Sequence, residues 1–98
     1  MPMQKSLHSA DYRHFLEELR ALRERSGVTQ EQLAAALGLH QTLISKVERG
    51  VRRLDVVELR LWLRVLDMRL TDFAARLEER LGRHAVPKIG RTSSRKRS

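Results

Sequence analysis

The sequence predicts an all-α chain of five helices, on three observations. Apolar residues recur at three- and four-residue steps from about residue 10 to residue 81. Proline occurs only at Pro2 and Pro87, outside that stretch. Four of the five glycines, Gly27, Gly38, Gly50 and Gly82, fall where helical runs stop. A chain of 98 residues holds one core and therefore one domain.

The first helix is expected over about residues 10–25, where Tyr12, Phe15, Leu16, Leu19 and Leu22 share a face, with Ser9 or Asp11 as cap and Ser26-Gly27 as stop. Residues 1–9 are read as a flexible segment before it. Thr29-Gln30-Glu31-Gln32 has the form of a capping box, so a second helix spans about 30–37. Its alanines, Ala34, Ala35 and Ala36, permit close approach of another helix before Gly38 ends it. Leu39 and His40 make a turn, and a third helix runs over about 41–49 to Gly50.

Asp55 is read as the cap of the fourth helix, whose Val56, Val57, Leu59, Leu61, Trp62, Leu63, Val65 and Leu66 surround nearly the whole circumference. A helix apolar on two sides lies at the centre of a domain or is shared with a second subunit. Thr71 is read as the cap of a fifth helix, with Phe73, Ala74, Leu77 and Leu81 on one stripe and Asp72, Arg76, Glu78, Glu79 and Arg80 toward water. The folded domain is thus expected over 10–82, with a disordered basic tail over 83–98.

The net charge of +8 points to a polyanionic partner, and its placement is uneven. Residues 83–98 hold six Lys and Arg and no acid, leaving only +2 for the rest. No run of about 18 apolar residues exists to span a bilayer. The start has no apolar stretch behind Lys5, unlike a secretory signal. Zero cysteine excludes disulfides and thiolate zinc sites and fits a reducing cytoplasm.

Helices 2 and 3, joined by a short turn, have the spacing of a helix-turn-helix, whose second helix can enter the DNA major groove. At about 100° per residue, Gln41, Ser45, Arg49, Thr42 and Lys46 fall within one arc of about 140°. Ile44 and Val47 point the opposite way, into a core, with Leu43 at the rim. One face therefore anchors the helix and the other is free to dock. Gln can bond an adenine edge twice, Thr offers a hydroxyl and a methyl, and Lys reaches guanine or phosphate.

On these residues, and on the stretch LRERSGVTQEQLAAALGLHQTLISKVERG from Leu22 to Gly50, the chain resembles the Cro and phage-repressor family of helix-turn-helix proteins, the XRE type. The resemblance in fold covers about residues 11–81 and implies a compact five-helix, lambda-repressor-like bundle that binds operator DNA as a dimer. It makes Gln41 the principal base reader, assisted by Thr42, Ser45 and Lys46. It makes Gln30 a phosphate contact that braces Gln41, and Arg23 with Glu48 an ion pair joining helix 1 to helix 3. His40 stands where a Ser, Thr or Asn cap is more usual, which implies either a looser start to helix 3 or a His40 that itself approaches phosphate. Leu43 replaces what is often a small polar residue and is expected to pack at the core edge, the alternative being contact with a thymine methyl. Arg52 and Arg53 occupy the loop that follows the DNA backbone in the family. With Lys46 and Arg49 against Glu48, they make residues 38–53 locally +3, and Arg49 joins them as a phosphate contact.

The surplus apolar surface of helices 4 and 5 predicts a homodimer contact through Leu59, Trp62, Leu63, Leu66 and Leu70. Enzyme chemistry finds little support: His8, His14, His40 and His84 are scattered, and Glu17-Glu18 and Glu78-Glu79 are adjacent along helices and diverge. No cofactor, metal or membrane partner is expected. The reading is a cytoplasmic, sequence-specific DNA-binding regulator, a repressor that associates with the nucleoid when bound. The alternatives are a HipB-like antitoxin that also holds a toxin protein, and a controller of a restriction-modification system.

Overall fold

The computed structural model describes residues 2–82, with side chains from Ala10 onward. Five helices follow one another: α1 (Pro2–Arg25), α2 (Gln30–Leu37), α3 (Gln41–Glu48), α4 (Val56–Val65) and α5 (Leu70–Gly82). No strand occurs among the described residues. No described helix is long and apolar enough to cross a membrane. The expected basic tail over 83–98 lies outside the described residues.

Two boundaries differ from the sequence expectation. Helix α1 begins at Pro2, so the segment read as flexible is helical and neither Ser9 nor Asp11 caps it. Proline at the first helical position has a preset φ and lacks only an amide that no helical carbonyl would accept, and no glycine or proline interrupts the run to Arg25. Helix α5 begins at Leu70, which makes Thr71 its second residue rather than its cap. The chain turns before it through Asp67 at φ 58°, and the Met68 amide returns to the Leu63 carbonyl at 2.9 Å. Aspartate tolerates this left-handed conformation better than most residues, so the α4 end closes as the glycine ends do.

The remaining ends follow the sequence signals. Thr29 Oγ1 accepts from the Gln32 amide at 3.0 Å and Gln32 Oε1 accepts from the Thr29 amide at 2.9 Å. Asp55 and Glu58 form the same reciprocal pair at 2.8 and 3.0 Å, which starts α4. Gly38 takes φ 71° and lets the Leu39 amide reach the Ala34 carbonyl at 2.8 Å, closing α2 and aiming the chain at α3. Gly50 at φ 79° ends α3, a left-handed conformation that favours glycine, and a Cβ there would press on Leu16 Cδ1 at 3.2 Å.

The core draws on every helix. Leu19 and Leu22 of α1, Leu33 and Ala34 of α2, Ile44 and Val47 of α3, Trp62 and Leu63 of α4 with Leu66 just after it, and Phe73 of α5 are all buried. Each full burial of such a side chain stabilises the fold by about 1.5–3 kcal/mol before the entropy of ordering it. Of the three alanines in α2 only Ala34 is used for close packing, while Ala35 and Ala36 face solvent.

Helix α4 is central, and three of the five residues expected at a subunit contact face inward. Trp62, Leu63 and Leu66 are only 2%, 0% and 4% exposed, enclosed by the chain's own helices, and Leu59 and Leu70 are half-buried against the same core. Trp62, Leu63 and Leu66 therefore fill the chain's own core, whereas Leu59 and Leu70 keep part of their surface. The apolar residues that α4 keeps outside are Val56, Val57 and Leu61. They share the outer arc with the exposed Arg60 and Arg64.

On α5, Arg76 is exposed as expected and Arg80 is half-buried, and both also reach α1: Arg76 Nε donates to Glu18 Oε2 at 3.2 Å, and Arg80 donates to Glu18 at 3.1 Å and to Glu17 at 2.6 Å. Burial of the Glu18 carboxyl opposes its ionisation, but the hydrogen bonds from Arg76 and Arg80 outweigh that and hold it below the ordinary carboxylate value.

Candidate nucleic-acid interface

Helix α3 lies against α1 and α2 by one face. Ile44 and Val47 are fully buried, whereas Gln41, Thr42, Lys46 and Arg49 are exposed and Ser45 is half-buried. The five polar residues share the outward arc because residues three and four apart lie side by side on a helix. Arg49 Nε donates to Ser45 Oγ at 3.3 Å, so these two side chains lie along the helix together. Leu43 is half-buried at the rim and lies outside the core cluster.

The position of that face is fixed from beneath. Arg23 of α1 donates from Nε to Glu48 Oε2 at 2.6 Å and from Nη2 to Oε1 at 3.0 Å. Its Nη1 bonds the Val28 carbonyl at 2.9 Å, at the loop into α2. Both residues are buried, and the Arg23 guanidinium is held above its ordinary pKa chiefly by its hydrogen bond to Glu48. A buried pair in which every guanidinium nitrogen and both carboxylate oxygens are bonded sets geometry more than it adds stability.

From Glu48 the network continues outward. Gln30 Nε2 donates to Glu48 Oε1 at 2.9 Å, and Gln30 Oε1 accepts from Gln41 Nε2 at 3.2 Å. A continuous chain of bonds thus joins the buried Arg23 to the exposed Gln41 across α1, α3 and α2. Gln41 stays exposed, and its side chain is held by this bond before any partner arrives.

The start of α3 is more open. His40 has extended backbone at φ −78° and ψ 145° but makes no side-chain cap bond, and its imidazole is exposed. The first amides of α3 therefore have no side-chain acceptor, the condition under which a helix N-terminus takes an anion.

The loop beyond Gly50 separates its two arginines. Arg52 is engaged with the Glu58 carboxylate at 2.9 and 3.3 Å and with the Arg53 carbonyl at 3.0 Å. That pairing raises the Arg52 pKa and lowers that of Glu58, in each case first through their mutual hydrogen bond. Arg53 forms no ion pair among the described residues; its guanidinium carbon lies 4.2 Å from the centroid of the Tyr12 ring. Sequence reasoning missed both the Glu58 pairing and Tyr12, because each depends on how the loop folds back. The six-residue spacing of Arg52 and Glu58 across a helix start is a faint signal at most.

Two comparisons bear on this geometry. Residues 19–73 match a helix-turn-helix family model. The fold is similar to the solved structure of an XRE-family like protein from Pseudomonas syringae pv. tomato, with 35% sequence identity, a TM-score of 0.74, and coverage of 82% of this chain and 98% of that one. No curated protein sequence matches the chain.

Proposed function

The chain belongs to the XRE-type helix-turn-helix family of DNA-binding transcription regulators, and from that premise we propose that it is a homodimeric, sequence-specific repressor. Helix α3 of each subunit enters one of two successive major grooves of a palindromic operator. Gln41 reads bases at the front of α3, with Thr42, Ser45 and Lys46 beside it. Gln30, His40, Arg49 and the 52–53 loop supply contacts to the DNA backbone, which position the helix without reading sequence. Repression follows from occupying a promoter and excluding polymerase, which needs no separate effector domain.

The observation that carries this reading is the chain of bonds Arg23, Glu48, Gln30, Gln41. It spends two buried charges on holding an exposed glutamine at the start of a helix, a costly arrangement for a mere solvated face. The dimer contact is assigned to the outer face of α4 at Val56, Val57 and Leu61, three of the five large apolar side chains exposed among the described residues and the three that share one helix face.

Footprinting on a sequence selected by the protein tests the arrangement. Two protected major-groove half-sites about 34 Å apart, one turn, are the expected result. A single half-site, or protection confined to the minor groove, would overturn it.

A further inference from the structure

Arg52 and Arg53 are neighbours in sequence but are held by opposite devices. The Arg52 guanidinium is committed to a carboxylate by two hydrogen bonds and so carries little uncompensated charge toward a phosphate. Arg53 lies over an aromatic ring instead. A ring face attracts a cation without neutralising it and leaves the N–H edges of the guanidinium free to donate. A long side chain that would otherwise sample many rotamers is thereby confined before binding.

The ring that holds it comes from the far end of the sequence. Tyr12 lies on α1, half-buried, and its centroid is 5.2 Å from that of Phe15, which in turn meets Phe73 edge-on at 5.9 Å. The Tyr12 ring therefore rests on the core and cannot swing with the loop. Its hydroxyl is buried and has no hydrogen-bond partner among the described residues. The part of Tyr12 that the structure uses is thus the ring and not the oxygen.

We propose that Tyr12 is a positioning residue for DNA binding, which holds the Arg53 guanidinium by its ring so that Arg53 makes the loop's phosphate contact while Arg52 braces the loop. This rests on the DNA-binding reading above and adds to it a residue outside the helix-turn-helix. The contact is to the sugar-phosphate backbone, so Tyr12 governs affinity and leaves sequence preference alone.

The test measures operator affinity of the full chain over a series of salt concentrations, for the wild type, Tyr12→Leu, Tyr12→Phe, Arg53→Ala and the double variant Tyr12→Leu/Arg53→Ala. Arg53→Ala is expected to weaken binding about 10-fold and to reduce the salt slope by about 1. Tyr12→Leu is expected to weaken it by about 3- to 10-fold in the wild-type background and not at all in the Arg53→Ala background. Tyr12→Phe, which keeps the ring and removes an unsatisfied hydroxyl, is expected to bind like the wild type. In the free protein the Arg53 side-chain protons should show an upfield ring-current shift that Tyr12→Phe retains and Tyr12→Leu abolishes.

An equal loss from Tyr12→Leu in both backgrounds would reduce Tyr12 to a packing residue and overturn the proposal. So would failure of Tyr12→Phe to restore binding. If the wild type selects no DNA sequence, the DNA-binding reading falls and takes this inference with it. If the wild type binds selectively and Tyr12→Leu is without effect, this inference falls alone.

Discussion

Gln41 donates its Nε2 to Oε1 of Gln30 at 3.2 Å, which ties the first residue of α3 to the first residue of α2. Gln30 is itself held by Glu48 at 2.9 Å. Replacing Gln30 by Ala should leave Gln41 exposed but unbraced and remove one of the three donors that the Glu48 carboxylate receives. We expect a stability loss of about 1 kcal/mol in urea unfolding. Operator affinity should fall by less than the roughly 1–3 kcal/mol expected for loss of the reader itself. Unchanged affinity and stability would mean that the brace has no function.

The Arg23 and Glu48 pair should behave as a buried pair whose members need each other. Arg23→Met leaves a buried carboxylate with only Gln30 as donor and should destabilise the fold by about 3–5 kcal/mol. Adding Glu48→Leu should recover most of that stability, since two apolar side chains fill the space without an orphan charge. Operator binding should stay impaired in the double variant because Gln30 has lost its anchor. Thermal or urea unfolding with parallel DNA titration separates the two effects; equal recovery of both would contradict the positioning role.

Acid stability should depend on Glu18. Its folded-state pKa lies below the ordinary value of 4.5, held there against burial by Arg76 and Arg80. The unfolded chain therefore binds a proton at Glu18 more readily than the folded one. The contribution is fully present above the ordinary carboxylate range and is lost as pH falls through the depressed folded value. The unfolding midpoint of the wild type should drop on acidification below about pH 4.5, and Glu18→Gln should start lower and drop less. Identical pH profiles for the two proteins would remove Glu18 from the account.

The outer face of α4 should control oligomeric state independently of folding. Leu61 is 48% exposed, so Leu61→Glu should cost no more than about 0.5 kcal/mol of subunit stability. In sedimentation at micromolar concentration the wild type should be a dimer and Leu61→Glu a monomer. Trp62→Ala, by contrast, should destabilise the fold by about 3–5 kcal/mol, because Trp62 fills the core. A Leu61→Glu variant that remains dimeric would place the contact elsewhere.

Local signals made most of this fold legible. The capping box at Thr29, the left-handed glycine at Gly38 and the polar arc of α3 each act within a few residues, and α2 lies where they predict it. The division of α4 into an inner face at Trp62, Leu63 and Leu66 and an outer face at Val56, Val57 and Leu61 was not legible. Both faces are apolar, and only the placement of α1, α2 and α5 decides which is covered. The same holds for Arg76 and Arg80, whose partners lie about 60 residues away on α1 and leave no trace in local periodicity. In the candidate interface, residue type and spacing pointed to Gln41 and Gln30, whereas the Arg52 and Arg53 division required the three-dimensional return of the loop onto Glu58 and Tyr12.

The central claim is that an oriented Gln41 on α3 reads bases, and it is tested most directly by selecting bound sequences from a random DNA pool with the wild type and Gln41→Ala at one stated salt concentration. The account predicts a palindromic preference for the wild type. For the variant it predicts lost preference at the base pairs facing the start of α3, with weak sequence-independent binding retained through the backbone contacts. Recovery of the same sequence by Gln41→Ala with unchanged affinity would contradict it.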